Sequence, residues 1–186
     1  MTLTLADVQE AARLIAGRVI RTPALPAPAL SALTGAEVTL KLETLQVTGA
    51  FKARGALVKL CRLDAEQRAR GVIAASAGNH AQAVAYHGTQ LGISSKIVMP
   101  EPTPLVKVTR TRRFGAEVVL HGANYDESYE HACELAEQEG RTFVHPFNDR
   151  GVIAGQGTLG LELLEQNPYL DTIICAVGGG GLISGV

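Results

Sequence analysis

A lysine that opens a helix directly behind a strand and a glycine turn is placed for covalent chemistry, and Lys52 is such a residue. It lies in the run Lys41-Leu42-Glu43-Thr44-Leu45-Gln46-Val47-Thr48-Gly49-Ala50-Phe51-Lys52-Ala53-Arg54-Gly55. Val38, Leu40 and Leu42 alternate with polar residues ahead of it, which predicts a strand with that apolar face buried. Ala53, Ala56, Leu57 and Leu60 behind it follow helical spacing, and Thr48-Gly49 is the turn between the two patterns. Phe51-Lys52 therefore falls on a first helical turn, among unpaired N–H groups at the positive end of the dipole. An ammonium is disfavoured there, and a lysine with a depressed pKa becomes a nucleophile or a Schiff-base former. A lone helical lysine is ordinarily a surface charge. Scarcity sets this one apart: there are five lysines against twelve arginines, and Lys41, Lys59, Lys96 and Lys107 read as solvent-facing.

Two other loops could bind charge. Ser76-Ala77-Gly78-Asn79-His80 joins a short apolar run to a helical pattern and offers a hydroxyl, an amide and free N–H groups to a carboxylate; a plain helix N-cap reads equally well. Gly178-Gly179-Gly180-Gly181 ends the apolar run 172–177 and precedes Leu182-Ile183, the layout of a phosphate cup. A merely structural turn of four glycines would be entropically costly. Gly155-Gln156-Gly157-Thr158-Leu159-Gly160 matches a dinucleotide fingerprint formally but has neither the preceding strand nor the later acid, and reads as a close-packed helix start. There is no Gly-x-Ser-x-Gly elbow and no His-Glu-x-x-His. His80 and His87 share a helix face without a third ligand, so no metal site is expected, but rather one functional and one structural histidine. Asp149 and Glu162 carry no acid/base pattern.

The elements that must position these loops form a regular series. Residues 72–75, 96–99, 117–120 and 142–144 are β-rich, and helical patterns over 81–91, 105–114 and 125–139 separate them, each closed by a glycine (Gly92, Gly115, Gly140). This βαβ period predicts a four-stranded parallel sheet flanked by helices, an α/β fold. Ahead of it come a helix from Leu5 to Gly17 with a capping-box start at Thr4 and Asp7, a segment punctuated by Pro23, Pro26 and Pro28, and a short helix before Gly35. After Asn148 a helix with Leu159, Leu163 and Leu164 inward leads to Asn167-Pro168, a strand over 172–177 and a new helix at Leu182.

With 186 residues, 46% hydrophobic content and a formal net charge of −1, the chain can build a core and has no nucleic-acid or membrane-surface footprint. The basic run 107–113 reads as the last turns of a helix. Cys61, Cys133 and Cys175 are widely spaced and odd in number, which suits free thiols and a cytoplasmic location; no leader or membrane span is expected.

Taken together, Gly49-Ala50-Phe51-Lys52-Ala53-Arg54-Gly55, Ser76-Ala77-Gly78-Asn79-His80-Ala81-Gln82, His145-Pro146-Phe147, Ala154-Gly155-Gln156-Gly157-Thr158 and Gly178-Gly179-Gly180-Gly181-Leu182 resemble the threonine/serine dehydratase and serine racemase family of fold-type II pyridoxal-phosphate enzymes. The resemblance implies the tryptophan synthase β-like fold, two open α/β domains with mostly parallel sheets: 1–70 and 149–186 in the larger, 71–148 in the smaller. Family members continue well past the glycine loop, so a C-terminally truncated larger domain is expected.

The resemblance further implies that Lys52 bonds covalently to pyridoxal 5′-phosphate, that Phe51 packs on its ring and Asn79 bonds its 3′-oxygen. Gly178, Gly179, Gly180, Gly181 and Leu182 would hold the phosphate, and Ser76, Ala77, Gly78, Asn79 and His80 would clamp the carboxylate of a small amino-acid substrate. Lys52 would then remove the α-proton, the β-hydroxyl would leave, and a 2-oxo acid and ammonia would result. Racemases of the family carry a second serine where this chain has Ala77, so elimination is expected over racemisation. Ala50 stands where many relatives have serine. A homo-oligomer is implied. On residues and fold alone, a dinucleotide-dependent oxidoreductase and a non-catalytic module remain open.

Overall fold

A computed structural model describes residues 2–186. Helix α1 (Leu5–Ile15) opens on a capping box: Thr4 Oγ1 accepts from the Asp7 N–H, and the Asp7 carboxylate accepts from the Thr4 N–H at 2.8 Å. Its buried stripe is Val8, Ala11 and Ile15, while Leu5 stands out in solvent.

Strand β1 (Ala24–Pro26) pairs antiparallel with β2 (Thr39–Lys41) in a two-stranded sheet, where Pro26 is tolerated because both strands are edges; α2 (Pro28–Thr34) lies between them. The face of β2 is the reverse of the one expected. Leu40 is 43% exposed, whereas the Lys41 side chain points inward and donates to Glu162 at 2.5 Å, the Thr22 carbonyl at 2.6 Å and Gln166 at 2.9 Å. Three acceptors occupy all three ammonium hydrogens, and this outweighs the burial of one leucine.

The parallel sheet has the order β5-β4-β3-β6, from β3 (Val72–Ala75), β4 (Ser95–Met99), β5 (Glu117–Leu120) and β6 (Thr142–Phe143). The two central strands are buried along their whole length, as parallel strands covered on both faces must be. Helix α5 (Asn79–Gln90) covers one face, setting Ala81, Val84 and Ala85 against Val72, Ala74, Ile97 and Met99. Helix α7 (Tyr125–Glu139) covers the other, with Ala132, Tyr129 and Leu135 against Ile73, Ala75 and Val98. Helix α6 (Leu105–Arg113) ends on Arg110, Arg112 and Arg113, the basic last turn expected. Helix α4 (Ala65–Arg70), which the apolar pattern did not mark, is started by reciprocal capping between Asp64 and Gln67. Lys96 is a second correction: it lies buried in central strand β4, paired with Glu139 and Glu117 across the sheet edge.

Helices α3 (Lys52–Cys61) and α8 (Arg150–Gln166) cross so closely that a Cβ on Gly155 would sit 2.5 Å from Gly55 Cα, and one on Gly55 would sit 2.6 Å from the Val152 carbonyl. Next to this crossing Arg54, fully buried, holds Glu43 and Glu162 in charge-assisted pairs at 2.8 and 2.7 Å. Burial opposes the charge of Arg54, yet the two carboxylates outweigh it and raise its pKa. Residues 172–177, expected as a strand, form no ladder with any strand among the described residues, although they share a cavity with β2; residues 180–186 make a single helical turn. No helix among the described residues is long and apolar enough to cross a membrane.

Burial works against ionisation of Glu162, but hydrogen bonds from Arg54 and Lys41 leave its pKa below the ordinary 4.5. A carboxylate with a lowered folded pKa contributes stability above its unfolded value, and that stability disappears as pH falls through the folded one. Glu162→Ala should cost about 3–5 kcal/mol in urea unfolding at neutral pH, because it strands buried cations. The loss on acidification below pH 4.5 should be shallower in the variant than in the parent chain. Gly155→Ala should lower stability by about 1–3 kcal/mol through overpacking.

Candidate functional site

The site is assembled on residues 144–149, where β6 gives way to α8. Four of the six residues in this stretch are tied to other elements. Val144 donates its N–H to Ile73 of β3 at 2.8 Å, and its carbonyl lies 2.8 Å from His80 Nε2 on α5. The Pro146 carbonyl accepts from Lys52 Nζ at 2.6 Å. Phe147 stands against the glycine loop, and Asp149 caps α8 while pairing with Lys59 at 2.6 Å. Pro146 cannot donate, so its carbonyl is its only polar bond to the site.

Lys52 occupies the first position of α3, as expected, behind the Gly49 turn at φ +77°. Its amine is half-buried, has a backbone carbonyl rather than a carboxylate as partner, and burial lowers its pKa from 10.5. It lies 5.4 Å from the Phe51 ring centroid. Lys59, two helical turns on, is also paired rather than free, so of the four lysines read as solvent-facing only Lys107 is exposed.

Ser76-Ala77-Gly78-Asn79-His80 leaves the C-terminal end of β3, with the Ser76 N–H still bonded to Val98. Ser76 Oγ accepts from the Gly78 N–H at 3.2 Å, and α5 begins at Asn79, two residues earlier than expected because Gly78 serves as the N-cap. The N–H groups of Ala77, Asn79 and His80 find no acceptor among the described residues, and Asn79 is exposed with its side chain unbonded. His80 is buried and neutral, its pKa lowered to about 4 by burial; its Nδ1 has no partner. His87 is likewise pushed to about 4 by burial. Neither histidine carries charge at neutral pH. No cluster of three or more His, Cys, Asp or Glu suited to a metal occurs among the described residues.

In the glycine loop, a Cβ on Gly179 would lie 2.2 Å from the Phe147 ring and one on Gly181 2.8 Å from Phe147 Cβ, while Gly180 has φ +84°. Three of the four glycines are therefore required by close approach or handedness. The N–H groups of residues 179–182 have no acceptor among the described residues, so the loop presents a row of free donors. That donor set, with a half-buried amine near by, fits a phosphate-bearing aldehyde. Phe51 and Leu182 line an apolar cavity of about 300 Å³ together with Leu40, Leu163, Ile173 and Val186, whereas Lys52 and residues 76–80 do not line it.

Thus the structure brings Lys52, His80 and the glycine loop to one short segment, and leaves Phe51 and Leu182 facing the neighbouring apolar cavity. Sequence reasoning gave no role to the Pro146 carbonyl, because a backbone oxygen has no residue signature; the His145-Pro146-Phe147 motif is its only trace. Nor did it find Arg54, Glu43 and Glu162 as one network, since their partners are far apart in the chain.

Residues 15–186 match the family described as pyridoxal-phosphate dependent enzyme. The chain is 53% identical over 184 residues to an L-threonine ammonia-lyase of Thermotoga maritima, covering 99% of this chain and 46% of that enzyme. The processed form of threonine deaminase isoform 2 from Solanum lycopersicum superposes with a TM-score of 0.91 at 42% identity, over 97% of this chain and 49% of that one. Maize serine racemase superposes with a TM-score of 0.96 at 39% identity, over 100% and 56%. The chain spans about half the length of the curated relatives it matches. It belongs to the family of pyridoxal-phosphate-dependent enzymes with the fold-type II α/β architecture.

Proposed function

We propose that this chain carries the cofactor-binding lysine and phosphate loop of a β-hydroxy amino-acid ammonia-lyase, with threonine or serine as substrate. The observation that carries the reading is the Lys52 amine, half-buried, kept from an acidic partner and bonded to Pro146, beside the ring that floors a loop of free N–H donors. The threonine ammonia-lyase and threonine deaminase likenesses support the substrate class. Residues 71–148 would form the smaller domain, with 1–70 and 149–186 in the larger. The three free cysteines suit a reducing compartment, and a homo-oligomer completes the reading.

Pyridoxal phosphate, when bound, supplies an electrophilic carbon for amines and an electron sink for the pair left behind by a departing proton. The N–H groups of Gly178 to Leu182 would hold the phosphate, and Phe51 and Asn79 are the side chains that would meet its ring and 3′-oxygen. Within Ser76, Ala77, Gly78, Asn79 and His80, the free N–H groups of Ala77, Asn79 and His80 would hold the substrate carboxylate, and the bond from the Gly78 N–H to Ser76 Oγ shapes the turn that presents them. Lys52 would receive the α-proton: burial lowers its pKa and so favours the uncharged amine that can accept a proton once its bond to Pro146 is released. A neutral His80 adds no positive charge that would keep Lys52 from accepting it.

Racemisation needs a proton donor on the opposite face of the same carbon. The likeness to maize serine racemase raises that reading, and Ala77 opposes it, since a methyl group carries no proton.

Incubation with pyridoxal phosphate, borohydride reduction and peptide mapping should label Lys52, and Lys52→Ala should lose that label; scattered labelling would sink the proposal. Because burial lowers its pKa, Lys52 in the folded chain should react at lower pH than Lys52 in urea-unfolded chain. Gly179→Ala, which forces a methyl group into the Phe147 ring, should weaken retention of pyridoxal phosphate about tenfold or more, equivalent to about 1.4 kcal/mol.

A further inference from the structure

His145 has a bonding pattern that its neighbours do not explain. Its Nδ1 accepts from two successive backbone donors, the Asn148 N–H at 2.8 Å and the Phe147 N–H at 3.2 Å. An imidazole nitrogen that accepts carries no proton, so the ring proton of the neutral form sits on Nε2. The turn closed by these two bonds contains the Pro146 carbonyl that takes the Lys52 amine and the Phe147 ring that abuts Gly179 and Gly181. The ring itself is packed edge-on to Phe147 at 4.6 Å between centroids, and lies 6.1 Å from Tyr129 and 6.3 Å from Phe143.

We propose that His145 is the positioning residue of the site: its neutral Nε2–H form holds the 146–148 turn through Nδ1, and that turn sets where the Lys52 amine and the glycine loop stand. The proposal rests on the functional reading above for the meaning of Lys52, while its own claim concerns this turn. A proton on Nδ1 would face two N–H donors, both bonds would be lost, and the turn would release Lys52 and Phe147 together.

The charged and titratable groups facing His145 are Asp149 at the start of α8, Lys52 on α3, His80 on α5 and Tyr129 on α7. Burial and then Lys52 oppose its charge, Asp149 favours it, and the balance lowers its pKa below 6.5. A folded pKa lowered in this way means that the ordered turn is intact at neutral pH and opens as pH falls through the folded value.

Long-range proton–nitrogen correlation spectra of chain with nitrogen-15 histidine read the tautomer directly; His145 is identified among the five histidines by its loss on substitution. A proton on Nε2 at neutral pH is expected, and a proton on Nδ1 overturns the proposal. Two variants test the consequence. His145→Asn supplies a side-chain oxygen able to accept from N–H groups further along the turn. His145→Phe keeps a ring against Phe147 and Tyr129 and removes the acceptor.

The probe is the rate at which trinitrobenzenesulfonate, an amine reagent that needs no cofactor site, modifies Lys52. The asparagine variant should stay within about twofold of the parent at neutral pH, and the phenylalanine variant should differ about tenfold, the effect of losing two ordinary hydrogen bonds. The parent-to-asparagine ratio should bend at the pH where the spectra show His145 ionising. A ratio flat through that pH, or an asparagine variant indistinguishable from the phenylalanine one, overturns the proposal. Should the phenylalanine variant not fold, the tautomer and the ratio decide. Failure of the functional reading would show separately, as absence of pyridoxal phosphate on Lys52 in the parent chain.

Discussion

The structure depends on the contact between α3 and α8, two helices that approach within the space of a missing Cβ at Gly55 and Gly155. A charge buried beside so close a crossing must be paired, and Glu43 and Glu162 meet that demand for Arg54. Alone, such a buried ion network is weak evidence for stability. Here it also tethers β2 through Lys41 and the N-terminal segment through the Thr22 carbonyl.

Its consequence for the site is metric. Lys52 and Lys59 stand two turns apart on α3, a rise of about 10 Å. The first holds the Pro146 carbonyl and the second the Asp149 carboxylate. The segment between β6 and α8 is therefore pinned at both ends along one helix face. On its other side His80 holds Val144, so the parallel sheet and the α3–α8 pair meet in a stretch shorter than two helical turns. The electrostatics follow from that packing: the site contains an amine, two neutral imidazoles and unpaired N–H groups, with the nearby Asp149 already committed to Lys59.

Much of this was legible in the residues. The βαβ period gave the four parallel strands, the three glycine-closed helices and the loop at the end of β3, because each rests on local spacing and on glycine at positive φ, as at Gly92, Gly115 and Gly140. The ordered motifs gave the family. The errors over which face is buried were of one kind. Leu40 was expected inside and Lys41 outside, and Lys96 was read as exposed, because periodicity assigns faces by polarity and cannot see an ion pair closed by residues such as Glu162, 121 positions away. The run 172–177 has strand composition, but a ladder also needs a neighbouring strand, and composition does not report one.

The sequence by itself determined the chemistry that could occur: one lysine at a helix start, a four-glycine loop and a Ser-Ala-Gly-Asn-His turn, each specified by contiguous residues whose conformational preferences are local. Only the tertiary structure decided what faces that chemistry. The Pro146 carbonyl on Lys52, the Phe147 ring under Gly179 and the two N–H groups on His145 Nδ1 are backbone and ring contacts set by how α3, α8 and the sheet pack. Packing brings together residues 94 positions apart, and a distance of that kind is written in no local run of residues.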